Sequence, residues 1–163
     1  MDPTKIISKI GDNKIVSIVD ELNSGQFKRV LLKGDVSTRI PISVVSLKAR
    51  TRIWKERLLE ALNTKNFPLS ETLLYEWLLN RRRQLLSDYL DKLNVKHKRG
   101  ETDETFLKTV PEETLRAKAR ELAKVHSLQD VAIYVHFLDY HQECDVFEGD
   151  EYFVNALNEE SVS

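Results

Sequence analysis

The chain has 163 residues, of which 41 % are hydrophobic and 31 % charged, and its 25 basic and 26 acidic side chains nearly cancel. This apolar content is sufficient for a folded core, so the composition excludes an intrinsically disordered chain. A single cysteine excludes an internal disulfide, and no apolar run reaches the length of a membrane span, so we expect a cytoplasmic protein without membrane association.

The charge is unevenly divided along the chain. Residues 1–100 carry 20 basic and 11 acidic side chains, whereas residues 101–163 carry 5 basic and 15 acidic ones. This division predicts either binding to a polyanion or pairing between the two parts. We expect one helical domain over residues 1–142, basic to residue 100 and acidic from residue 101. A partly ordered acidic-aromatic segment should follow over residues 143–163.

Few turn residues are present, with five glycines and four prolines, and this scarcity favours helices over a β-sandwich. Helical periodicity in most segments predicts an all-α, compact bundle of about six or seven helices. Two short helices begin the chain. Residues 26–42 then fit either a short helix followed by a loop or a short β-hairpin near residues 28–45. The helix is favoured because Val30, Leu31 and Leu32 do not alternate with polar residues.

Two strong patterns follow in the middle of the chain. Residues 43–63 predict an amphipathic helix with an apolar stripe, which consists of Val44, Leu47, Thr51, Trp54, Leu58, Ala61 and Leu62. After a break at Phe67-Pro68, residues 71–93 predict the longest helix, capped by Ser70 and free of glycine and proline. Its apolar arc is wide, which is typical of a central helix with several neighbours.

The remaining segments predict a loop and three more helices. The loop covers residues 96–109, and a helix begins at Pro111. A helix over residues 128–142 is apolar on two sides, so it is either buried centrally or leaves one stripe for a partner. A last short helix is predicted near residues 151–157, and residues 158–163 are expected to fray.

An arginine triplet interrupts the apolar arc of the 71–93 helix. Arg82 lies in the middle of the arc, and Arg81 and Arg83 lie at its edges. Because a lone buried charge is costly, we expect Arg82 to pair with a carboxylate of the protein itself. The alternative is an anion pocket in which Arg82 binds a phosphate or carboxylate ligand.

Further basic residues form a face beside the apolar stripe of the 43–63 helix and in the loop that follows residue 95. With the arginine triplet they are candidates for binding nucleic acid or an acidic protein partner. They are Lys48, Arg52, Lys55, Arg57, Arg81, Arg82, Arg83, Lys96, Lys98 and Arg99. No aromatic residue interleaves with them for base stacking, so a plain solvated face is the alternative.

The end of the chain mixes acids with apolar side chains. Seven acids and no base lie between Glu143 and Glu160. Phe147, Tyr152, Phe153 and Leu157 are candidates for protein docking, because alternating acidic and hydrophobic residues are typical of docking segments. The segment either binds a partner or lies across the chain's own basic face, which we favour because a tethered segment has a high effective concentration.

No catalytic residue, cofactor site or metal site is predicted. His136 and His141 point about 140° apart on a helix, so they cannot share a metal ion. His126 shares a stripe with Leu115 and Leu122, which is typical of a core histidine. Cys144 lies among acids, which should raise the pKa of its thiol.

These patterns favour a non-catalytic interaction or regulatory protein with the basic helical face and the acidic-aromatic segment as docking surfaces. One alternative is a nucleic-acid-binding protein with an autoinhibitory acidic tail. A second is a small enzyme with an anion pocket around Arg82. A protein partner is expected first and nucleic acid second, and the patterns do not predict an oligomeric state.

Overall fold

The computed structural model describes residues 1–158, which form nine α-helices and one 3₁₀ turn at Phe106–Lys108. The helices are α1 (Pro3–Ile10), α2 (Asp12–Asp20), α3 (Ser24–Lys33), α4 (Leu47–Leu62), α5 (Phe67–Arg81), α6 (Arg83–Lys92), α7 (Glu112–Leu122), α8 (Leu128–His141) and α9 (Glu151–Ala156). The all-α class is therefore confirmed, although short N-terminal helices and a divided central helix raise the number above seven. Fraying was predicted for residues 158–163, and all of these except residue 158 lie outside the described residues.

The core is organised around α5 and α8, the two segments predicted to be central. Every residue from Val131 to Val135 in α8 is buried, because this helix has neighbours on both sides. The short helix α1 packs against both α5 and α8, and α3 packs against α4 and α5. On the other side, α7 packs on α6 and α9 packs on α8. No helix among residues 1–158 is long and apolar enough to cross a bilayer.

The alternative of a β-hairpin near residues 28–45 is wrong. The helix α3 covers the first part of this region, and no strand occurs in the part of the chain that the structure describes. Asn23 and Gln26 start α3 with a reciprocal capping box, in which each side chain accepts the other residue's backbone N–H. Val30 and Leu31 are consecutive and both buried, which a helix packed against α4 and α5 permits and a half-exposed strand does not.

The predicted continuous helix over residues 71–93 is also wrong, at both its start and its middle. It begins at Phe67 with Asn66 as its cap, because proline in the first helical turn needs no N–H donor. It is interrupted at Arg82, where the backbone adopts φ −130° and ψ 25°. Neither glycine nor proline causes this break. It coincides instead with the ion pairs of the Arg82 side chain.

The helix predicted over residues 43–63 begins later, at Leu47, with Ser46 as its cap. Its apolar stripe is covered only in part. Trp54 and Leu58 are buried at 2 % and 0 % exposure, whereas Leu47 is 64 % exposed. The first turn of α4 therefore carries its apolar stripe beyond the core.

Candidate functional site

Arg82 lies at the break between α5 and α6 and is held by two carboxylates. Its Nε donates to Asp130 Oδ2 at 2.7 Å, and both terminal nitrogens donate to the Glu21 carboxylate at 2.9 Å. Burial alone would lower the pKa of Arg82, but the two carboxylates outweigh burial and raise this pKa. The predicted internal pair is present. The protein's own acids thus fill the place that an anionic ligand would take in the alternative pocket.

The same cluster connects three helices. Lys14 of α2 forms a salt bridge with Asp130 of α8, and its ammonium lies 5.3 Å from the centre of the Trp77 ring in α5. Trp77 Nε1 donates to Glu21 Oε1 at 3.3 Å. The guanidinium carbon of Arg82 lies 4.7 Å from the same ring. Each charge of this cluster has a partner of opposite sign, and the cluster thereby holds α2, α5 and α8 together.

The other two arginines of the triplet bind the backbone. Arg81 donates to the Glu21 carbonyl at 2.8 Å, which ties the end of α5 to the end of α2. Arg83 donates to the Arg99 carbonyl at 2.8 Å and so holds the loop after α6. The triplet is therefore used mainly to fix the positions of neighbouring segments.

Two of the basic residues on α4 are bonded as well. Lys55 forms a salt bridge with Asp20, and Arg57 donates to the carbonyls of Ser37 and Arg39 at 2.9 and 2.6 Å. Half of the ten predicted cations make neither an ion pair nor a hydrogen bond through their side chains with any described residue. These five are Lys48, Arg52, Lys96, Lys98 and Arg99.

Most of the residues predicted for protein docking lie in the core. Phe147, Phe153 and Leu157 are completely buried, and only Tyr152 is exposed, at 41 %. The described part of the segment thus packs on its own chain, but it packs against α8 and not across the basic face, which was the arrangement favoured from the sequence. The three buried side chains offer no surface to a partner, because they complete the core beside α8.

The C-terminal segment is attached through groups that α8 presents. The Asp139 carboxylate accepts the backbone N–H groups of residues 146–148 at 2.8 to 3.1 Å. His136 Nε2 donates to the Phe153 carbonyl at 3.1 Å, and its Nδ1 is buried without a hydrogen-bond partner. Burial lowers the pKa of His136 to about 4 and raises the pKa of Asp139.

Arginines of α7, and not the predicted basic face, meet this segment from the other side. Arg116 donates to the Val146 carbonyl at 2.8 and 3.0 Å. Arg120 donates to Asp150 at 3.1 Å and lies 4.9 Å from the centre of the Tyr152 ring. Asp150 is therefore paired locally, and no described residue of the segment forms an ion pair with a cation of α4.

An open groove of about 780 Å³ lies between the α5–α6 pair, α8 and the loop over residues 96–105. Its floor is largely apolar and is formed by Leu79, Leu86, Leu90, Tyr134, Phe137 and Leu138. Its rim is polar and exposed, with His141 on α8 and with Asp103 and Glu104 in the loop. An apolar floor with a few polar groups is the usual composition of a binding site.

The loop wall of this groove is fixed by His97 and Gly100. His97 Nδ1 accepts the Gly100 N–H at 3.0 Å, and its Nε2 lies 2.7 Å from Asp91 Oδ1. Gly100 has φ +88°, and a Cβ at this position would lie 2.7 Å from the Cβ of Leu86. Glycine adopts this positive φ without strain and has no Cβ to collide with Leu86. The loop can therefore pack closely against α6.

Tyr134 supplies an unpartnered polar group in the groove. Its side chain is 3 % exposed and lines the floor, yet its hydroxyl makes no hydrogen bond to any described residue. The neighbouring Tyr89, also buried, donates to the Leu115 carbonyl at 3.0 Å. The buried polar atoms without a partner among the described residues are Ser70 Oγ and His136 Nδ1, and the Tyr134 hydroxyl is not one of them, so it faces the open groove. A ligand atom that displaces water there can form a hydrogen bond with this hydroxyl.

A second groove continues the first across α5. It has a volume of about 620 Å³ and shares Tyr75 and His141 with the larger groove. Lys33 lies at this end and makes no ion pair with a described residue. Lys96, Lys98, Asp103 and Glu104 line the larger groove and are likewise without ion pairs inside the described chain. Charges of both signs therefore line the combined trough.

The histidines and the cysteine do not assemble a reactive centre. Among residues 1–158, no group of three or more His, Cys, Asp or Glu side chains is placed to hold a metal ion. His126 lies 2.7 Å from Asp88 and is partly exposed, so it is not fully in the core. Burial and nearby acids raise the pKa of Cys144, which agrees with the sequence prediction and disfavours the thiolate.

Sequence reasoning missed the groove because its floor has the pattern of an ordinary core. One signal was available in the sequence. The segment that forms α8 is apolar on two sides, and one of the two interpretations left an apolar side of it for a partner. Phe137 and Tyr134 of α8 do line the groove. Comparison of the chain with protein families, with curated proteins and with solved structures finds no match.

Proposed function

We propose that this chain is a non-catalytic interaction protein of the cytoplasm that binds an amphipathic helix of a partner protein in the trough. The Tyr134 hydroxyl carries the proposal, because it is an unpartnered polar group in the floor of an open apolar groove. The class of function is the one favoured from the sequence. The docking surface moves to the trough because the C-terminal side chains predicted for docking are buried.

A helix suits the trough better than a small molecule does. Small ligands occupy sites of about 300–1,000 Å³ that enclose most of their surface. Here two grooves of about 780 and 620 Å³ meet at Tyr75 and His141, and both are open to solvent. An amphipathic helix buries only one face in such a groove, with apolar residues at positions i, i+4 and i+7 as anchors.

A polar side chain within the apolar face of the bound helix would meet the Tyr134 hydroxyl. A serine or asparagine at this position would bind the hydroxyl and replace its water. Lys96 and Lys98 line the groove together with Asp103 and Glu104, so the charges alone do not set the direction of the helix.

The test uses two synthetic amphipathic peptides that differ at one residue. Both carry leucines at i, i+4 and i+7. One has an asparagine in the apolar face where the other has an alanine. Fluorescence anisotropy with the full chain should show that the asparagine peptide binds about fivefold more tightly, a difference of about 1 kcal/mol.

Variants connect this preference to the trough. Tyr134→Phe should remove the preference for the asparagine peptide, because it removes the hydroxyl that the asparagine binds. Tyr152→Phe is the matched control, since this exposed tyrosine lies outside both grooves. Absence of binding to either peptide by the folded chain, or a preference that Tyr134→Phe leaves unchanged, would refute the proposal.

A further inference from the structure

A second surface, outside both grooves, is formed by the start of α4 and the loop before it. Leu47 lies on the same helical face as Trp54 and Leu58, but it projects past the core. Together with Ile42 and Val45 it forms an apolar tip, defined by these three residues, with exposures of 97 %, 83 % and 64 % for Ile42, Val45 and Leu47. Folded proteins usually scatter such side chains singly, so three within six positions indicate an interaction surface.

The loop that carries the apolar tip is fastened to α4. Trp54 Nε1 donates to the Thr38 carbonyl at 3.1 Å. Arg57 donates to the carbonyls of Ser37 and Arg39 on either side of that contact. These bonds join buried or partly buried side chains of α4 to successive loop residues. The tip is therefore presented on a supported loop.

Three cations border the apolar tip, and we refer to them as the basic flank: Arg39, Lys48 and Arg52. Lys48 directly follows the tip, and Arg52 lies one turn later on the same side of α4. None of the three forms an ion pair with a residue in the described range. The described part of the acidic C-terminal segment is hydrogen-bonded to α7 and α8 and forms no ion pair with these three cations.

We propose that the apolar tip and the basic flank attach the protein to the surface of an anionic lipid bilayer. The tip would enter the headgroup region while the cations contact lipid phosphates and carboxylates. Aliphatic side chains bind hydrocarbon well but do not stack on bases, which argues against nucleic acid. Neither groove includes the tip, and a fluid bilayer needs no complementary pocket to receive projecting side chains. A partner protein does need one.

This attachment does not require a membrane span. From the sequence we expect no membrane association, because no apolar segment is long enough to cross a bilayer. The apolar tip and the basic flank would contact only one face of the bilayer, and a few apolar residues with adjacent cations suffice for such a contact. The inference is independent of the helix-binding proposal, since the tip and the flank share no residue with the trough.

The test is co-sedimentation of the full chain with vesicles. Vesicles of phosphatidylcholine and phosphatidylserine in a three-to-one ratio are compared with vesicles of phosphatidylcholine alone, at low and moderate salt. We expect binding to the anionic vesicles only, and weaker binding at the higher salt. Lys48→Glu/Arg52→Glu should weaken binding by at least about 25-fold, since each cation near such a surface contributes about fivefold. Ile42→Ser/Val45→Ser/Leu47→Ser should weaken it by about tenfold or more.

Matched controls show whether the effect belongs to this surface. Lys5→Glu/Lys9→Glu removes two exposed cations with the same spacing on α1, and Leu32→Ser/Val125→Ser removes two other exposed aliphatic side chains. All four variants should unfold at the same urea concentration as the parent, because their side chains are exposed. Both controls should bind vesicles nearly as well as the parent.

Three results would overturn the inference. The first is the absence of binding to anionic vesicles by the folded chain. The second is equal loss of binding in the controls and in the surface variants. The third is binding to duplex DNA or to an acidic peptide through the same surface without binding to vesicles, which would assign the surface to that ligand instead.

Discussion

The Arg82 cluster and the groove at Tyr134 are two places where a polar group lies among leucines and aromatic rings. At Arg82 the chain supplies the partners itself, with Glu21 and Asp130 at 2.7 to 2.9 Å. At Tyr134 it supplies none within the described residues, and the hydroxyl faces the open groove instead. The first polar group fixes the fold, and we propose that the second binds a ligand.

The difference teaches where binding sites arise in a chain without recognisable motifs. A charge among leucines costs too much to remain unpaired, so the fold satisfies it internally. A neutral hydroxyl that opens onto a groove can bind water instead, at little cost. A polar group open to solvent in an apolar groove is therefore a better indicator of a binding site than the arginine, which the sequence makes more prominent.

The largest effect is expected from breaking the satisfied cluster. Arg82→Leu leaves Asp130, whose side chain is 8 % exposed, with Lys14 as its remaining partner, and it leaves Glu21 without its cation. We expect the free energy of unfolding to fall by about 2–4 kcal/mol, because the cluster is only partly accessible to solvent. Urea denaturation followed by circular dichroism measures this change. Arg52→Leu, which removes an unpaired and exposed arginine, should change stability by less than about 0.5 kcal/mol.

A second large effect concerns pH and the attachment of the C-terminal segment. Burial lowers the pKa of His136 from 6.5 to about 4, so the folded state prefers the neutral ring. The contribution is fully present above pH 6.5. As the pH falls from 6.5 towards 4, only the unfolded state takes up the proton, and stability decreases by up to about 3 kcal/mol. Asp139 acts in the opposite sense near its own raised pKa, since protonation there favours the folded state.

The His136 contribution is isolated by comparing the parent with His136→Gln at several pH values. The variant lacks the titrating ring, so its stability should decline less steeply between pH 6.5 and 4. His141→Gln is the control, because His141 is exposed and should leave the pH profile unchanged. Parallel profiles for the parent and His136→Gln would contradict the assignment.

An intermediate effect is expected where the groove wall meets α6. Gly100→Ala should destabilise the protein by about 2 kcal/mol, because it combines an unfavourable positive φ with a close approach to the Cβ of Leu86. Gly25→Ala is a control with the opposite sign. A Cβ at Gly25 meets no heavy atom closer than 3.5 Å, and alanine favours the helix α3 by about 0.5–1 kcal/mol. Equal melting temperatures for the two variants would contradict this account of the wall.

The helical segments and the need of Arg82 for a partner could be predicted from the sequence. The helix break at Arg82 and the groove at Tyr134 could not. The pairing of Arg82 was predictable because a charge among leucines requires a partner. Its partners were not, since Glu21 and Asp130 lie 61 and 48 residues away. The break in the helix coincides with the bonds between Arg82 and those distant acids. Likewise Leu85 and Leu86 both belong to the apolar arc of the predicted helix, but only tertiary packing decides that Leu86 lines a groove.

The smallest effect is the sharpest comparison, because it uses two buried tyrosines in contact with each other. Their ring centres lie 5.8 Å apart, and only the hydroxyl of Tyr89 has a partner. Tyr89→Phe should cost about 1 kcal/mol, because it removes a buried hydrogen bond to the Leu115 carbonyl, which keeps its bond within the helix α7. Tyr134→Phe removes a hydroxyl that has no bond to lose, so it should leave the free energy of unfolding unchanged or slightly raised. The same variant should weaken binding of the asparagine peptide. Destabilisation by Tyr134→Phe as large as that by Tyr89→Phe would mean that the Tyr134 hydroxyl is satisfied in the free protein, and the groove would lose its main distinction from the Arg82 cluster.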